Sequence, residues 1–290
     1  MSSTLADEIR DRLGDLSPAE RKVARVLLAG YPASVFETVA TIAERASVSA
    51  PTVLRCASRL GYRGFPDLQA ALRAELDART ASPVTLYETS GARDGTASGK
   101  ADGNEGAAPG SAVVLRAVEK TFRELTTHEF HEAVALLSDP RRRIHLVGGR
   151  FTHLLAQYLG LHLMQLRQYV SFLPDGHVER VSALTQLGRK DVVVLFDYRR
   201  YEEDKTAVAE LVRERGGKVV VFTDPWLSPA TAQADVVLTS QVTSDSPYDS
   251  LTPTLALIEA LVGSVLDRLG ADAHEHMKAG EDTARRLGLL

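Results

Sequence analysis

Residues 91 to 111 contain none of the large apolar side chains that a folded core requires, so this segment separates two parts of the chain that can each fold. The segment reads GARDGTASGKADGNEGAAPGS. Such a composition cannot bury enough apolar surface to offset the entropy of ordering the backbone. We therefore expect an N-terminal domain over residues 1–80, a flexible linker over 81–111 and a C-terminal domain over 112–290. Each flank is long enough to bury a core of its own.

The composition favours a cytoplasmic globular protein. Hydrophobic residues make up 44% and charged residues 25% of the chain, which is typical of soluble domains. No apolar run approaches the roughly 18 residues that span a bilayer, so no membrane partner is expected. The start, MSSTLADEIRDRLGD, lacks the basic and apolar regions of a secretory signal. The single cysteine, Cys56, excludes an internal disulfide and predicts a packing role.

The N-terminal domain contains the pattern of a helix-turn-helix. Ser17 and Glu20 have the spacing of a capping box, which predicts a helix ending at Gly30. Apolar residues at helical spacing predict a second helix over 39–46 and a third over 50–60. The intervening residues, 47–49, favour a turn. Two short helices joined by a three-residue turn form the helix-turn-helix arrangement.

One face of the third helix has the chemistry that DNA recognition requires. An apolar stripe, formed by Val53, Cys56, Ala57 and Leu60, should face the other helices. The opposite face then carries small, hydroxylated or cationic side chains, namely Pro51, Thr52, Arg55, Ser58 and Arg59. Residues 45–66 contain four arginines and no carboxylate, although the net charge of the chain is -4. A solvated helix face that happens to lack acids is the alternative.

Residues 5–77 resemble the N-terminal domain of RpiR/MurR-type transcriptional regulators. The most specific part is VSAPTVLRCASRLGYRGFPDL, residues 48–68. The resemblance implies a partner, double-stranded operator DNA. It also implies DNA contacts by Ser49, Thr52, Arg55 and Arg59, and a phosphate contact near Tyr62, Arg63 and Gly64. Two alternatives remain open: Ser49 can serve simply as the N-cap of the third helix without contacting DNA, and Tyr62 can belong to the core.

The C-terminal domain alternates strands and helices. Apolar segments predict strands over 144–147, 169–173, 191–196, 218–223 and 235–239. Helices are predicted over 112–137 in two parts, 151–166, 178–187 and 205–215. Apolar strands separated by helices imply a parallel sheet covered on both faces. The predicted fold class is α/β, with an all-α helix-turn-helix domain followed by a doubly wound parallel sheet.

Residues 144–270 resemble the sugar isomerase (SIS) domain that such regulators carry. The resemblance rests on IHLVGGRFTHLLAQYL after residue 143 and on FTDPWLSPATAQADVVL, residues 222–238. It implies a small polar or anionic effector, with sugar phosphates as the family expectation. Because one helix-turn-helix reads only a few base pairs, we also expect self-association, as a homodimer or a dimer of dimers, through this domain and the long helix before it. The expected effector-binding residues, at the carboxyl ends of the strands, are Gly149, Arg150, Thr152, Asp197, Arg199, Arg200, Ser250 and Thr252.

One loop departs from the SIS pattern. Many SIS domains have a hydroxyl-rich Ser-x-Ser-Gly-x-Thr loop where this chain reads FDYRRYEEDKT, residues 196–206. Arg199 and Arg200 can pair with a carboxylate or phosphate. Alternatively, they pair with the neighbouring acids of residues 202–204, and the pocket holds little. A carboxylate or an uncharged polyol fits this loop nearly as well as a phosphate.

An isomerase with an appended helical domain is the alternative function. Aldose-ketose isomerisation needs a positioned base and acid. The candidates are scattered: His145 in a strand, His153 and His162 on the next helix, and Glu259 on a late helix. We therefore expect no catalytic residues and no cofactor. His274 and His276 fall in what reads as a polar tail without partner ligands, so no metal is predicted.

Overall fold

The computed structural model describes residues 5–29, 31–80, 82–91 and 110–289. The chain divides into two compact units, residues 1–90 and 91–290. Among the described residues, no helix combines the length and the apolar character needed to cross a bilayer.

The first unit is entirely helical. Its helices are α1 (Leu5–Asp11), α2 (Pro18–Ala29), α3 (Val39–Arg45), α4 (Ala50–Arg59), α5 (Phe65–Thr80) and α6 (Pro83–Gly91). The capping box that predicted α2 is present, because Ser17 donates its N–H to Glu20 Oε2 at 2.9 Å. The Glu20 N–H lies 3.4 Å from Ser17 Oγ. The Ser17 N–H also lowers the pKa of the Glu20 carboxyl, so the cap stays ionised.

Backbone geometry fixes the angle between α3 and α4. Ser47, in the turn between them, has a left-handed φ of 52°, and Val48 N donates to Ala43 O at 2.9 Å. At the far end of α4, Gly61 has a φ of 93° and Tyr62 N donates to Ala57 O at 3.1 Å. This is the glycine-terminated helix end in which orphan carbonyls are satisfied. Both helices of the helix-turn-helix therefore end at a residue with left-handed backbone, Ser47 after α3 and Gly61 after α4.

The core of the helical unit lies between α2, α3, α4 and α5. Fully buried side chains include Val23, Leu27, Ile42 and Val53. Cys56 lies in this core, and burial raises the pKa of its thiol to about 12. The predicted apolar stripe of α4 is therefore the face that packs inward.

The second unit is a parallel sheet covered by helices. Its strands are β1 (Arg143–Gly148), β2 (Val170–Phe172), β3 (Asp191–Phe196), β4 (Lys218–Thr223) and β5 (Val236–Thr239). Its helices are α7 (Ser111–Glu124), α8 (Thr127–Ser138), α9 (His153–Leu166), α10 (His177–Thr185), α11 (Glu203–Glu214), α12 (Thr252–Leu269) and α13 (Ala271–Leu287).

The sheet has the strand order β2-β1-β3-β4-β5, and all the strands are parallel. One apolar cluster packs Ile144 and Val194 under α8, α9 and α12, and another packs Val193 and Val221 under α10 and α11. The predicted α/β class and doubly wound parallel sheet are confirmed. The order reverses between β1 and β3, and ligands of such sheets bind outside the carboxyl ends of the strands at that reversal.

Two expectations about local structure were incomplete or wrong. Residues 83–91, placed in the predicted linker, form α6, while residues 92–109 of that linker lie outside the described residues. The segment with His274 and His276 is not a polar tail but part of α13. His276 Nε2 lies 3.1 Å from the carbonyl oxygen of Met164, so α13 is attached to α9 by a polar contact that helical periodicity alone does not reveal.

Candidate functional site

The outer face of α4 carries an exposed group of side chains. Arg55, Ser58 and Arg59 are exposed, as predicted, and so is Ser49 at the N-cap. Leu54 joins them, with 45% of its surface exposed. The sequence analysis omitted Leu54 because it belongs neither to the apolar stripe nor to the polar set. An exposed apolar group beside arginines matches the major groove, where thymine methyl groups lie next to acceptor edges.

Three arginines on and just beyond the end of α4 lack a close ion pair with any described carboxylate, although the charge of Glu20 acts on Arg55 and Arg59. Within the described part of the chain, Arg55, Arg59 and Arg63 form no ion pair. Arg55 Nη2 donates to Thr52 Oγ1 at 3.0 Å, which leaves most of its fork free. Arg45 differs, since its Nη1 lies 2.5 Å from Glu37 Oε1. Of the four arginines in residues 45–66, only Arg55, Arg59 and Arg63 therefore contribute charge that is not neutralised by an ion pair.

Two predicted DNA contacts lie in positions that do not face solvent. Thr52 is only 4% exposed, because its spacing of four residues from Cys56 places it on the inward stripe. Its hydroxyl lies 3.0 Å from Ser49 Oγ and accepts from Arg55, so it positions those two side chains. Tyr62 is half-buried and its hydroxyl donates to Glu8 Oε2 at 2.6 Å. The core alternative for Tyr62 is the one the geometry supports.

The second unit has a cavity at the carboxyl ends of β1 and β3. It encloses about 230 Å³. Its walls come from the loops after these two strands and from the segment before α12. They are formed by Gly149, Arg150, Phe151, Thr152, Asp197, Tyr198, Arg199, Arg200, Glu202, Tyr248, Asp249 and Leu251. This is the reversal point where a doubly wound sheet binds its ligand.

A threonine joins the two strand ends at the base of this cavity. Thr152 Oγ1 accepts from Gly149 N at 2.7 Å and donates to Phe196 O at 2.9 Å. The chain turns so sharply here that a Cβ on Gly148 would lie 2.4 Å from His153 N. The N–H of Gly149, one of the predicted effector-binding residues, is thus already bound by Thr152 Oγ1.

The FDYRRY loop is held by carboxylates from two other loops of the domain, Asp224 after β4 and Asp249 before α12. Arg199, whose side chain is 2% exposed, lies with Nε 2.5 Å from Asp249 Oδ1, and Arg200 Nη2 lies 3.5 Å from Asp249 Oδ2. The buried Asp224 accepts from Arg199 N at 2.5 Å and from Tyr201 Oη at 2.7 Å. The alternative, in which the arginines pair with residues 202–204, is not the pairing observed, since both arginines pair with Asp249. Residues distant in sequence supply the carboxylates.

The acids and the lysine after this loop form a compact charged cluster. Glu202 Oε1 accepts from Arg150 N at 3.2 Å, and Glu202 Oε2 accepts from Lys205 Nζ at 2.7 Å. Lys205 also donates to Asp204 at 2.9 Å. The Lys205 side chain is 2% exposed. A buried ammonium requires such partners, since an unpaired charge in the interior is strongly unfavourable.

Asp197 is the most perturbed acid of the cavity. It is 3% exposed, accepts from Glu202 N at 3.2 Å and accepts a short hydrogen bond from Ser228 Oγ. Burial is the largest cause that raises the pKa of Asp197, to about 6, and the charge of Glu202 adds to the rise. Perturbed acids in clefts are candidates for functional groups, although structural networks perturb them as well.

Six of the eight predicted effector residues meet at this cavity. They are Gly149, Arg150, Thr152, Asp197, Arg199 and Arg200. Ser250 and Thr252 do not line it; Ser250 Oγ instead lies 3.4 Å from Thr252 N at the start of α12. Their neighbours Tyr248, Asp249 and Leu251 take that wall. For the segment before α12, the sequence identified the loop but not the residues that line the cavity, because an irregular segment has no periodicity to show which side chains face inward.

Two family models match the chain. The helix-turn-helix domain of the rpiR family matches residues 3–79, and the SIS domain matches residues 136–264. Together they cover most of the chain. The transcriptional regulator HexR of Pseudomonas aeruginosa is 26% identical over 279 residues, covering 94% of this chain and 93% of that protein. HexR of Escherichia coli is also 26% identical and covers 94% of this chain and 92% of its own length.

Two solved structures share the fold. The sugar isomerase domain of an RpiR transcription factor from Sphaerobacter thermophilus has a TM-score of 0.56 and 22% identity, covering 59% of this chain and 95% of that one. The NanR protein of Vibrio vulnificus, complexed with ManNAc-6P, has a TM-score of 0.51 and 17% identity, covering 98% of this chain and 99% of that one.

A helix-turn-helix followed by a doubly wound SIS domain defines a class of DNA-binding transcriptional regulators. This chain belongs to the RpiR family of that class.

The raised pKa of Asp197 predicts a specific pH dependence of stability. Between about pH 4 and pH 6 the folded chain retains a proton that the unfolded chain releases, so the free energy of unfolding falls as pH rises. The contribution reaches about 3 kcal/mol at most and is constant above that range. Asp197→Asn should remove it, so the variant should gain stability relative to the parent between pH 4 and pH 7. Chemical denaturation at several pH values measures this difference, and a constant difference would contradict it.

Proposed function

We propose that this regulator binds operator DNA through the exposed face of α4 and binds a sugar phosphate or related polar metabolite in the cavity of the SIS domain. The observation that carries the DNA half is the unpaired set Arg55, Arg59 and Arg63. Cations that form no ion pair on a helix-turn-helix surface are available to phosphates and to guanine edges. Such a protein works where the chromosome is, so we place it in the cytoplasm.

The arginines divide into two roles. Arg55 and Arg59 lie one helical turn apart on α4 and face solvent, so they are placed to read bases. Arg63 lies beyond the helix end, where its N–H donates to Asp67 Oδ2 at 3.0 Å, and its side chain is exposed. That position suits a contact to the DNA backbone.

Arg55→Ala should weaken operator binding by about 1 to 3 kcal/mol and relax the preference at one base pair, because a base contact is lost. Arg63→Ala should weaken all sequences alike and reduce the salt slope by about one, because a phosphate contact is lost. Fluorescence anisotropy with parent and mutated operators separates the two effects. Arg285→Ala, which removes an exposed charge from α13, is the control. Parent-like binding by both α4-region variants would refute the assignment of this face.

The cavity supports effector binding because it combines enclosure with polar groups at its walls. Its volume of about 230 Å³ is lined by the apolar side chains of Phe151 and Leu251 and by the charged side chains of Asp197 and Arg200, among others. Arg200 has a left-handed φ of 67°, a conformation that costs a residue with a Cβ about 1 to 2 kcal/mol. Strain of this kind concentrates at ligand sites.

Leu251→Trp should abolish effector binding, because the indole fills the cavity without removing a charge. A thermal-shift screen of sugar phosphates, amino sugars and organic acids on the parent identifies the ligand, and the hits are repeated on the variant. Val178→Trp adds the same side chain at a site that is 80% exposed on α10 and should respond like the parent. A ligand that stabilises Leu251→Trp as strongly as the parent would place the effector site elsewhere.

A second copy of the chain is the proposed partner of α9. Leu154 and Leu161 are seven residues apart on one face of α9, and they are 54% and 57% exposed. Phe151, 60% exposed, lies just before that helix and also lines the cavity. Contiguous exposed apolar side chains mark interaction surfaces. A helix-turn-helix regulator needs two copies to read two half-sites.

Leu161→Asp should convert the homodimer to a monomer at micromolar concentration, because it places a charge in the apolar contact. Operator affinity should fall with it, since one helix-turn-helix reads only one half-site. Sedimentation velocity and operator titration measure both effects. Val178→Asp, an equal change on α10, is the matched control. A parent that is monomeric while it binds the operator with full affinity would refute the proposal.

The isomerase alternative is less well supported. Its candidate base, Glu259, accepts from Tyr158 Oη at 3.1 Å on the surface of α9 and α12 and is not part of the cavity wall. Among the described residues, no histidine lines the cavity. The carboxyls that do line the cavity are Asp197, Glu202 and Asp249. They are already bound by Ser228 Oγ, by the N–H of Arg150 together with Lys205, and by Arg199, respectively, so none is placed to move a proton between adjacent carbons of a ligand. We therefore propose that the domain senses its ligand without converting it.

A further inference from the structure

The carboxylate of Glu202 lies in a setting built for an anion. One oxygen accepts from the backbone N–H of Arg150 at 3.2 Å, and the other accepts from Lys205 Nζ at 2.7 Å. The carboxylate also lies directly over Gly149, where a Cβ would come within 2.6 Å of Oε1. Gly149, Arg150 and Glu202 line the cavity, and the ammonium of Lys205 lies behind this wall, on the far side of the Glu202 carboxylate. A carboxylate or a phosphate satisfies such donors equally well.

In the ion pair between Glu202 and Lys205, the carboxylate can rotate into solvent, whereas the ammonium is buried and cannot. The side chain of Glu202 is 33% exposed and that of Lys205 is 2% exposed. The backbone of Glu202 is held separately, because its N–H donates to Asp197 Oδ1 at 3.2 Å. Rotation of the side chain into solvent therefore leaves the start of α11 in place. Lys205 would retain only Asp204, which also pairs with Arg180 at 3.1 Å.

We infer that Glu202 is an internal occupant of the effector's anion subsite and that the effector's phosphate replaces its carboxylate at Arg150 N–H and Lys205. This inference rests on the proposed function, since it concerns the same cavity. It explains how a loop with acids in place of hydroxyl groups binds a phosphate. The negative charge is exchanged rather than added, so the buried ammonium stays neutralised throughout. A neutral sugar has no group that can take this place.

Glu202→Gln tests the exchange, because the amide keeps the size of the side chain and still accepts from Arg150 N–H but no longer neutralises Lys205. Inorganic phosphate, titrated by calorimetry into the full chain at constant ionic strength, is the probe. The variant should bind phosphate about tenfold more tightly than the parent, the size expected when a competing charge-assisted hydrogen bond is weakened. Glu203→Gln makes the same charge change one residue later, at an exposed position outside the cavity wall, and should bind like the parent.

A second substitution identifies the cation. In the Glu202→Gln background, Lys205→Gln should remove the gain, because the phosphate then has no buried ammonium to pair with. Glu202→Asp, which keeps the charge but shortens the reach by one methylene, should give an intermediate gain. Unfolding midpoints without phosphate establish that each variant folds.

The outcomes separate this inference from the proposed function. If Glu202→Gln binds phosphate no more tightly than the parent, or gains no more than Glu203→Gln, the inference is wrong. In that case a sugar phosphate that still stabilises the parent, and not Leu251→Trp, leaves the proposed cavity intact. If no sugar phosphate stabilises either the parent or Glu202→Gln, the effector half of the proposed function fails together with the inference.

Discussion

The hydroxyl group of Thr152 joins the two strands on which the cavity is built. It accepts from Gly149 N and donates to Phe196 O, so the loop after β1 is fastened to the end of β3. These strands are neighbours only because the sheet order reverses between them. The close approach of Gly148 to the start of α9 makes the same corner rigid. The loops that line the cavity thus start from fixed points, while their outer residues are free to vary in chemistry.

In the helical unit, the arginines on and just after α4 form no ion pairs with other described residues, although the chain carries a net charge of -4. Its acids are placed where they have other tasks: Glu20 caps α2, Glu37 pairs with Arg45, and Glu8 accepts from Tyr62. None of these hydrogen bonds or ion pairs involves the exposed arginines of α4, and Glu20 acts on Arg55 and Arg59 only through its charge. The exposed face of α4 therefore has a positive potential because nearby carboxylates bind other groups. The total charge of the chain does not reveal this local distribution.

The sequence predicted most where burial is complete and least where contacts span the chain. Strands β3 and β4 have the predicted bounds, because every residue of β3 and nearly all of β4 are buried and the apolar run has sharp ends. The face of α4 was predicted except at the exposed Leu54, which was omitted, and at Thr52, which lies one turn before Cys56 and so shares its inward side. The ion pairs of Arg199 and Arg200 were not predictable. Their partner, Asp249, is separated from them by about fifty residues and lies in a loop that has no repeating pattern.

The pairing of Glu202 with Lys205 has a consequence for the concentration at which such a sensor responds. A site that is open for only a fraction of the time has an apparent dissociation constant equal to the intrinsic one divided by that fraction. The strength of the internal pair therefore sets the threshold of the response, independently of the contacts that recognise the rest of the ligand. Selection on one exposed side chain can then retune the regulator to a higher or lower metabolite level without altering what it recognises.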